Sequence, residues 1–220
     1  MHPLLSLVIA LLLLAHLSAA ESPIEVIWRL EQAAQVGGLT TTVLGEPRVV
    51  TDADGKALWF RGTSDGIFVP ANPLAGWPQF TVEVLVKPDE GGPEEQRFVH
   101  ISDPVSRVMI ETRLDGKGGW WLDTHLRSKS GAMTLIDPKR VHPTGRWYWV
   151  AVSYDGKRMA HFINGEKELE ADVAFDPMTA GQISLGVRQN KVFWFKGSIR
   201  EVRFHPVALV PATLQHISTK

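Results

Sequence analysis

Two hairpin turns within residues 147–173 constrain the fold more than any other feature of the sequence. Asp155-Gly156 and Asn164-Gly165 are dipeptides that tolerate positive φ angles, and they suit type I′ turns, whose twist matches that of paired strands. The stretch therefore predicts a three-stranded antiparallel meander. Its apolar and β-branched segments are residues 147–154, 158–163 and 167–173.

Short extended segments separated by turns continue along most of the chain. The connections at residues 89–93 and 115–119 are rich in glycine. Many short strands without alternating helices indicate an all-β sandwich of two antiparallel sheets rather than a parallel α/β sheet. Further strands are predicted at residues 57–61, 67–69, 80–87, 96–102, 108–114, 120–127, 182–187 and 197–204.

Two short helices are predicted at the ends of this sandwich. The first covers residues 24–36 and ends at Gly37-Gly38. The second begins at Pro211, because proline suits a first helical turn, and extends to about residue 217.

An apolar run near the N-terminus predicts export. Residues 4–15 are almost all apolar, small residues 18–20 follow, and charge first appears at Glu21. This order is typical of a secretory signal peptide over residues 1–20, and the run is short for a membrane span of about 20 apolar residues. We expect one secreted or periplasmic domain, residues 21–220, free of the membrane after cleavage. An uncleaved anchor and a buried core helix are the alternatives.

Composition excludes several classes of protein. The sequence has no cysteine, so neither a disulfide framework nor a thiolate metal site can form. The formal net charge is −1, with acidic and basic residues interspersed, which argues against a nucleic-acid partner. Eight tryptophans against two tyrosines suit either a sandwich core or rings that stack on sugars.

Five motifs resemble, in the same order, those of laminin-G-like jelly rolls in the concanavalin-A-like lectin/glucanase superfamily, including bacterial exported members. They extend over about residues 57–214. The resemblance implies a two-sheet antiparallel jelly-roll sandwich over the whole mature domain. The motifs are FRG with DGIFVP at residues 60–70, FTVEVLVKP at 80–88, WYWVAVSYDG at 147–156, FING at 162–165, and GSIREVRF at 197–204, followed by Ala208-Leu209.

The resemblance leaves function and cofactor open, because this sandwich is shared by lectins, adhesion modules, glycoside hydrolases and polysaccharide lyases. Family members can hold a structural Ca²⁺, and Asp65 and Glu201 are the carboxylates in the matching motif regions. Arg200 weakens that expectation, since the family often has aspartate there. Two further departures are Leu85, in place of tryptophan, and Trp149, in place of histidine.

Two consecutive predicted strands, residues 108–114 and 120–127, each have one apolar and one polar face, because alternate side chains of a strand share a face. His161 on the meander and Arg188 beyond Gly186 are expected to extend the polar surface. The candidate ligand-binding residues are therefore Glu111, Arg113, Trp121, Asp123, His125, His161 and Arg188.

These residue types favour a carbohydrate ligand. Carboxylates and imidazoles bond sugar hydroxyls, arginine binds a uronate, and Trp121 or Trp194 can stack on a ring. The favoured hypothesis is an exported module that binds a polysaccharide or glycoconjugate. The alternatives are a polysaccharide lyase or glycoside hydrolase on the same groove, with no catalytic residue identified, and a structural or protein-interaction domain whose polar face pairs internally.

Overall fold

Two antiparallel β-sheets packed face to face form the fold. The computed structural model describes residues 25–217, so the predicted signal segment lies outside the described residues. The prediction of an all-β sandwich is confirmed. The strands are β1 Val26–Arg29, β2 Gln35–Val36, β3 Leu39–Thr40, β4 Thr42–Leu44, β5 Arg48–Asp52, β6 Gly55–Arg61, β7 Gly66–Val69, β8 Phe80–Pro88, β9 Glu95–Ser102, β10 Arg107–Leu114, β11 Gly119–Arg127, β12 Ala132–Ile136, β13 His142–Pro143, β14 Tyr148–Tyr154, β15 Arg158–Ile163, β16 Glu166–Asp172, β17 Gln182–Leu185 and β18 Lys196–His205.

The two large sheets have different strand orders. Sheet 1 has the order β16-β15-β14-β8-β18-β6-β5, and β1 also pairs with β18. Sheet 2 has the order β12-β11-β10-β9-β17-β7-β4, and β13 also pairs with β11. The predicted meander is confirmed as β14, β15 and β16, and Asn164 at its second turn has a φ of 49°.

The core lies between the inner faces of the two sheets and contains most of the large apolar side chains. Phe195 joins the sheets through Phe60 and Phe98, with ring centroids 6.4 and 5.6 Å away. At another point Phe80 and Tyr154 pack around Phe175. Each fully buried phenylalanine stabilises the fold by about 2–3 kcal/mol relative to leaving it exposed, so a cysteine-free domain of this size can be held by its core.

Both terminal helix predictions are wrong. Residues 24–36 contain β1 and β2 instead, because Trp28 is buried against Phe204 and β1 completes hydrogen bonds along β18. At the other end only Pro211–Thr213 forms a single 3₁₀ turn. The chain then extends so that Leu214 packs on the outer side of sheet 1. In residues 25–217, no helix has the length and apolar character to cross a membrane.

Gly186 allows the turn after β17 to pass close to the core. It has a φ of +80°, and a Cβ atom there would overlap the Phe60 ring. Gly76 also has a φ of +80°, but a Cβ atom there would have no neighbour within 4 Å. Comparing alanine substitutions at the two glycines therefore distinguishes the cost of backbone strain from the cost of steric overlap.

We expect Gly186→Ala to lower the free energy of unfolding by about 2–4 kcal/mol, from positive-φ strain plus overpacking against Phe60. Gly76→Ala, with the strain alone, should cost about 1 kcal/mol. Urea unfolding of both variants measures the difference. Equal losses would contradict the assigned overlap with Phe60.

Candidate functional site

The outer face of sheet 2 brings together most of the predicted site residues. β10 and β11 pair so that Glu111 lies opposite Asp123 and Arg113 opposite Trp121. His125 lies on the same face, opposite Met109. The alternation read from the sequence therefore identified the shared face of these five predicted residues correctly.

A network of ion pairs occupies the centre of this face. Arg113 Nη2 lies 2.8 Å from Asp123 Oδ2, and its Nη1 lies 2.9 Å from Glu95 Oε2. Arg97 also pairs with Glu95, and its Nε lies 2.9 Å from Glu111 Oε1. The Arg113 guanidinium is thus held by two carboxylates of its own chain, which leaves it poorly placed to bind a uronate.

The network contains one more carboxylate than guanidinium groups, and two of its three acids are deeply buried. Glu111 and Asp123 are 1% and 2% exposed. Burial, followed by the neighbouring Asp123, raises the pKa of Glu111 to about 8. Burial also raises the pKa of Asp123, although the hydrogen bond from Arg113 opposes that change. This enclosed arrangement suits the support of the sheet better than acid–base chemistry on a bound substrate.

A tight loop, residues 186–195, covers part of this face and brings Arg188 to it. The ring of Phe193 lies under the Arg97 guanidinium at 4.0 Å, and the backbone N–H of Arg97 donates to the Phe193 carbonyl. The N–H of Gln189 donates to His100 Nδ1 at 3.1 Å. Arg188 is close enough to lower the pKa of both His100 and His125, so its predicted place beside the polar face is correct.

His161 does not lie on the polar face, so the expectation that it extends this face is wrong. It belongs to β15 of sheet 1, where its side chain points between the sheets with Met159 and Ile163 and is 1% exposed. Its Nδ1 lies 3.0 Å from the Thr124 hydroxyl of sheet 2. Burial, with a smaller effect of Arg140, lowers the pKa of His161 to about 3, so the ring is a neutral hydrogen-bonding group of the core.

The structure does not combine Asp65 and Glu201 into one site. Asp65 is fully buried and accepts hydrogen bonds from Glu46 N, Arg61 N and Arg61 Nε. Glu201 lies on β18, where it pairs with Arg29 and Arg203. Both carboxylates therefore already have partners within the protein. Among residues 25–217, no cluster of three or more histidine, aspartate or glutamate side chains could hold a metal ion.

A cleft of about 550 Å³ opens beside the polar face, at the turn where β10 ends and β11 begins. Trp121 lines it, together with Glu90, Glu94, Asp115 and glycines of the turns on either side. From the sequence, Glu90 and Asp115 are predicted as turn residues only, and Glu94 is given no role. The signal that could have identified them is that both turns adjoin strands of the polar face.

Trp121 differs from the half-buried tryptophans on the outer side of sheet 1. Trp147 donates its Nε1–H to Asp52 and lies under the Arg200 guanidinium at 4.3 Å. Trp59 similarly donates to Asp89. Within the described residues Trp121 makes no such hydrogen bond: its Nε1 atom is buried without a partner, and the residue lines the cleft.

The two-sheet sandwich and its strand order define a concanavalin-A-like jelly roll. A laminin-G family model, described as the concanavalin A-like lectin/glucanases superfamily, matches residues 61–215. The chain belongs to this superfamily. Among curated proteins, none matches the sequence significantly.

Solved structures share the fold at low sequence identity. Domain 4 of AbnA, a GH43 extracellular arabinanase from Geobacillus stearothermophilus, in complex with arabinotriose, is 22% identical with a TM-score of 0.69, over 87% of this chain and 97% of that chain. The botulinum neurotoxin serotype D binding domain is 15% identical with a TM-score of 0.61, over 86% of this chain and 49% of that chain. A SAP-like pentraxin from Limulus polyphemus is 19% identical with a TM-score of 0.54, over 70% and 76%. The chain thus spans about half the length of the toxin binding domain.

Proposed function

We propose that this chain is an exported glycan-binding module that holds a neutral saccharide in the Trp121 cleft. The observation that carries the proposal is that one open cleft is lined by a tryptophan and by three acidic residues. Export follows from the signal segment predicted at residues 1–20.

The lining groups suit the two kinds of surface on a sugar ring. The flat apolar face of a pyranose or furanose can stack on the indole of Trp121. Carboxylates accept hydrogen bonds from sugar hydroxyls and form the stronger, charge-assisted type. The glycine-rich turns add backbone N–H and C=O groups at the rim, where no side chain blocks approach.

The charge of the cleft favours a neutral sugar over an acidic one. Glu90, Glu94 and Asp115 are the ionisable groups that line it. Backbone N–H groups of Lys117 and Gly119 lower the pKa of Asp115, so this carboxylate is ionised at neutral pH. A uronate or sulfate in the same cleft would meet like charge.

The structural neighbours support the proposal at the level of the fold. The arabinanase domain was solved with arabinotriose, and a related botulinum toxin binding domain, 12% identical with a TM-score of 0.60, was solved with SialylT. Arabinotriose is therefore a rational first probe. The lyase and hydrolase alternatives lack a comparable observation, because the paired acids of the polar face are enclosed by arginines.

We expect Trp121→Ala to weaken the binding of a neutral oligosaccharide by at least about ten-fold, because the stacking surface is lost. Isothermal titration of residues 21–220 with arabinotriose, xylotriose and cellotriose measures this. Trp147→Ala is the matched control, since it removes a half-buried tryptophan from the outer side of sheet 1. Absence of binding by the unmodified protein across the panel, or equal affinity in Trp121→Ala, would refute the proposal. New reducing ends in the same mixtures would instead support a hydrolase.

A further inference from the structure

Three arginines converge on the outer face of sheet 2, at the end away from the Trp121 cleft. Arg107 and Arg127 are direct cross-strand partners at the ends of β10 and β11. Arg188 lies on the loop of residues 186–195, and the pKa of Arg107 is lowered by burial and then by the charges of Arg127 and Arg188. In the part of the chain from residue 25 to residue 217, none of the three forms an ion pair, and the buried Arg107 Nε has no hydrogen-bond partner.

Such a cluster is unfavourable when nothing occupies it. Like charges placed directly opposite each other across two strands destabilise the pair. The ion-pair network farther along the same strands shows the contrast, since both of its guanidinium groups face carboxylates. Glu111 offsets this repulsion only weakly, because it changes the pKa of Arg107 less than burial, Arg127 and Arg188 do.

Two neutral histidines lie beside these guanidinium groups. His100 and His125 both face Met109 from the strands on either side of it. His100 is 6% exposed, and its Nδ1 accepts the N–H of Gln189, so the ring proton resides on Nε2. That Nε2–H is a buried donor without an acceptor, and Nε2 of His125 is likewise buried without a partner. Burial and the surrounding arginines lower the pKa of His100 to about 3 and that of His125 to about 4.

We propose that Arg107, Arg127 and Arg188, with the Nε2 atoms of His100 and His125, form a site for an oxyanion, namely a sulfate ester or carboxylate carried by a saccharide chain. Guanidinium groups bind such oxyanions through charge-assisted and often bidentate hydrogen bonds. A bound oxyanion would supply the absent negative charge and accept the orphaned Nε2–H of His100. This inference rests on the proposed function only for the statement that the carrier is a saccharide.

The spacing along the strands explains why a saccharide chain is the expected carrier. Arg107 and Arg113 are six residues apart on one strand, and at about 3.3 Å per residue the cationic site lies roughly 20 Å from the Trp121 cleft. Both sites open on the same side of sheet 2. An extended oligosaccharide with a neutral segment and an acidic group can therefore contact both.

The experiment compares two double variants of the domain, residues 21–220. Arg107→Gln/Arg127→Gln removes two charges from the proposed site, and Arg48→Gln/Arg158→Gln removes two from sheet 1. The probes for isothermal titration are a chondroitin sulfate hexasaccharide, a hexagalacturonate, inorganic sulfate and arabinotriose. Removal of the like-charged pair is not expected to lower stability, and a thermal melt of each variant checks this.

We expect at least one acidic oligosaccharide to bind, with affinity at least ten-fold weaker in Arg107→Gln/Arg127→Gln and little changed in the control. Binding of the chondroitin sulfate hexasaccharide without binding of hexagalacturonate indicates that the sulfate ester is recognised, because both probes carry carboxylates. NMR titration should show the pKa of His100 and His125 rising when the probe binds, because the anion offsets the guanidinium charges.

Two results would overturn the inference: no binding of any oxyanion, or equal affinity in both double variants. If inorganic sulfate were the only probe to bind, the statement that a saccharide carries the oxyanion would be wrong. Arabinotriose separates this proposal from the previous one, because its binding depends on Trp121 and should be unchanged in Arg107→Gln/Arg127→Gln. If arabinotriose did not bind but an acidic oligosaccharide did, the proposed neutral-sugar cleft would be rejected and the oxyanion site supported.

Discussion

Acidification from pH 7 to pH 4 is expected to remove several kcal/mol of stability that three neutral histidines contribute, a loss partly offset because Glu111 and Asp123, whose pKa values are raised, favour the folded protein at low pH. His100 and His161 are almost fully buried, and the pKa of each is lowered to about 3 in the folded protein. His125, which is half-buried, has a pKa lowered to about 4. In the unfolded chain a histidine takes up a proton near pH 6.5, so the unfolded state binds more protons than the folded state below that pH.

The direction and the pH window follow from this difference in proton uptake. A lowered histidine pKa contributes stability that is fully present above pH 6.5 and is lost as the pH falls towards 3–4. Each of the two buried rings is expected to cost about 2–3 kcal/mol at pH 4, and His125 less because solvent reaches it. Urea unfolding at pH 7, 5.5 and 4 measures the loss.

His161→Gln isolates one of these rings, because glutamine can keep a hydrogen bond to Thr124 without taking up a proton. The variant should be less stable than the unmodified protein at pH 7, and its stability should fall less steeply below pH 6. His216→Gln, in the exposed C-terminal segment, is the control. If the slope of stability against pH were the same in all three proteins, the proton uptake could not be assigned to His161.

Removal of one guanidinium from the ion-pair network is the second large effect. We expect Arg113→Met to lower the free energy of unfolding by about 3–5 kcal/mol at pH 7, because Asp123 would lose its partner while 2% exposed. Glu95 would also lose one of its two arginines. Equilibrium unfolding in urea measures this loss, provided that the dependence of the free energy of unfolding on urea concentration has the same slope in both proteins.

A double-mutant cycle shows whether the loss comes from the uncompensated charge. Asp123→Asn in the Arg113→Met background should recover more than half of the lost stability, because the buried acid is then neutral. Arg158→Met is the matched control, since Arg158 also pairs with two carboxylates but lies on exposed strands of sheet 1. It should leave stability without measurable change. Additive losses in the cycle, or an equal loss in the control, would contradict a buried network.

Local sequence chemistry determined β6–β11 and β14–β18 and much of the polar face. The Asp-Gly and Asn-Gly turns predicted β14, β15 and β16, because positive φ angles are accessible to few residues. Strict alternation placed Glu111 and Arg113 on one side of β10, and Asp123 on the matching side of β11. These features depend on neighbouring residues only, so they can be read without knowing the fold.

The tertiary structure decided which face each strand turns inward and which strands meet. The β-bulge between β9 and β10 places both Phe98 and Val99 in the core. Arg97 and His100 therefore share the outer face, although residues three apart on a regular strand point to opposite faces. His161 has the same alternating pattern as a surface histidine, yet its strand belongs to the other sheet and turns it inward. The first turn of the predicted N-terminal helix became a strand because β18 offered it unpaired backbone groups.

The candidate sites depend on the same long-range choices. Trp121 gained three acidic neighbours because two turns that are distant in sequence meet at one end of sheet 2. Arg107, Arg127 and Arg188 are apart in the chain and carry no motif, and only cross-strand register and a folded loop bring them together. Alternation along a strand is a local property, whereas register, bulges and loop docking are set by how the whole core packs.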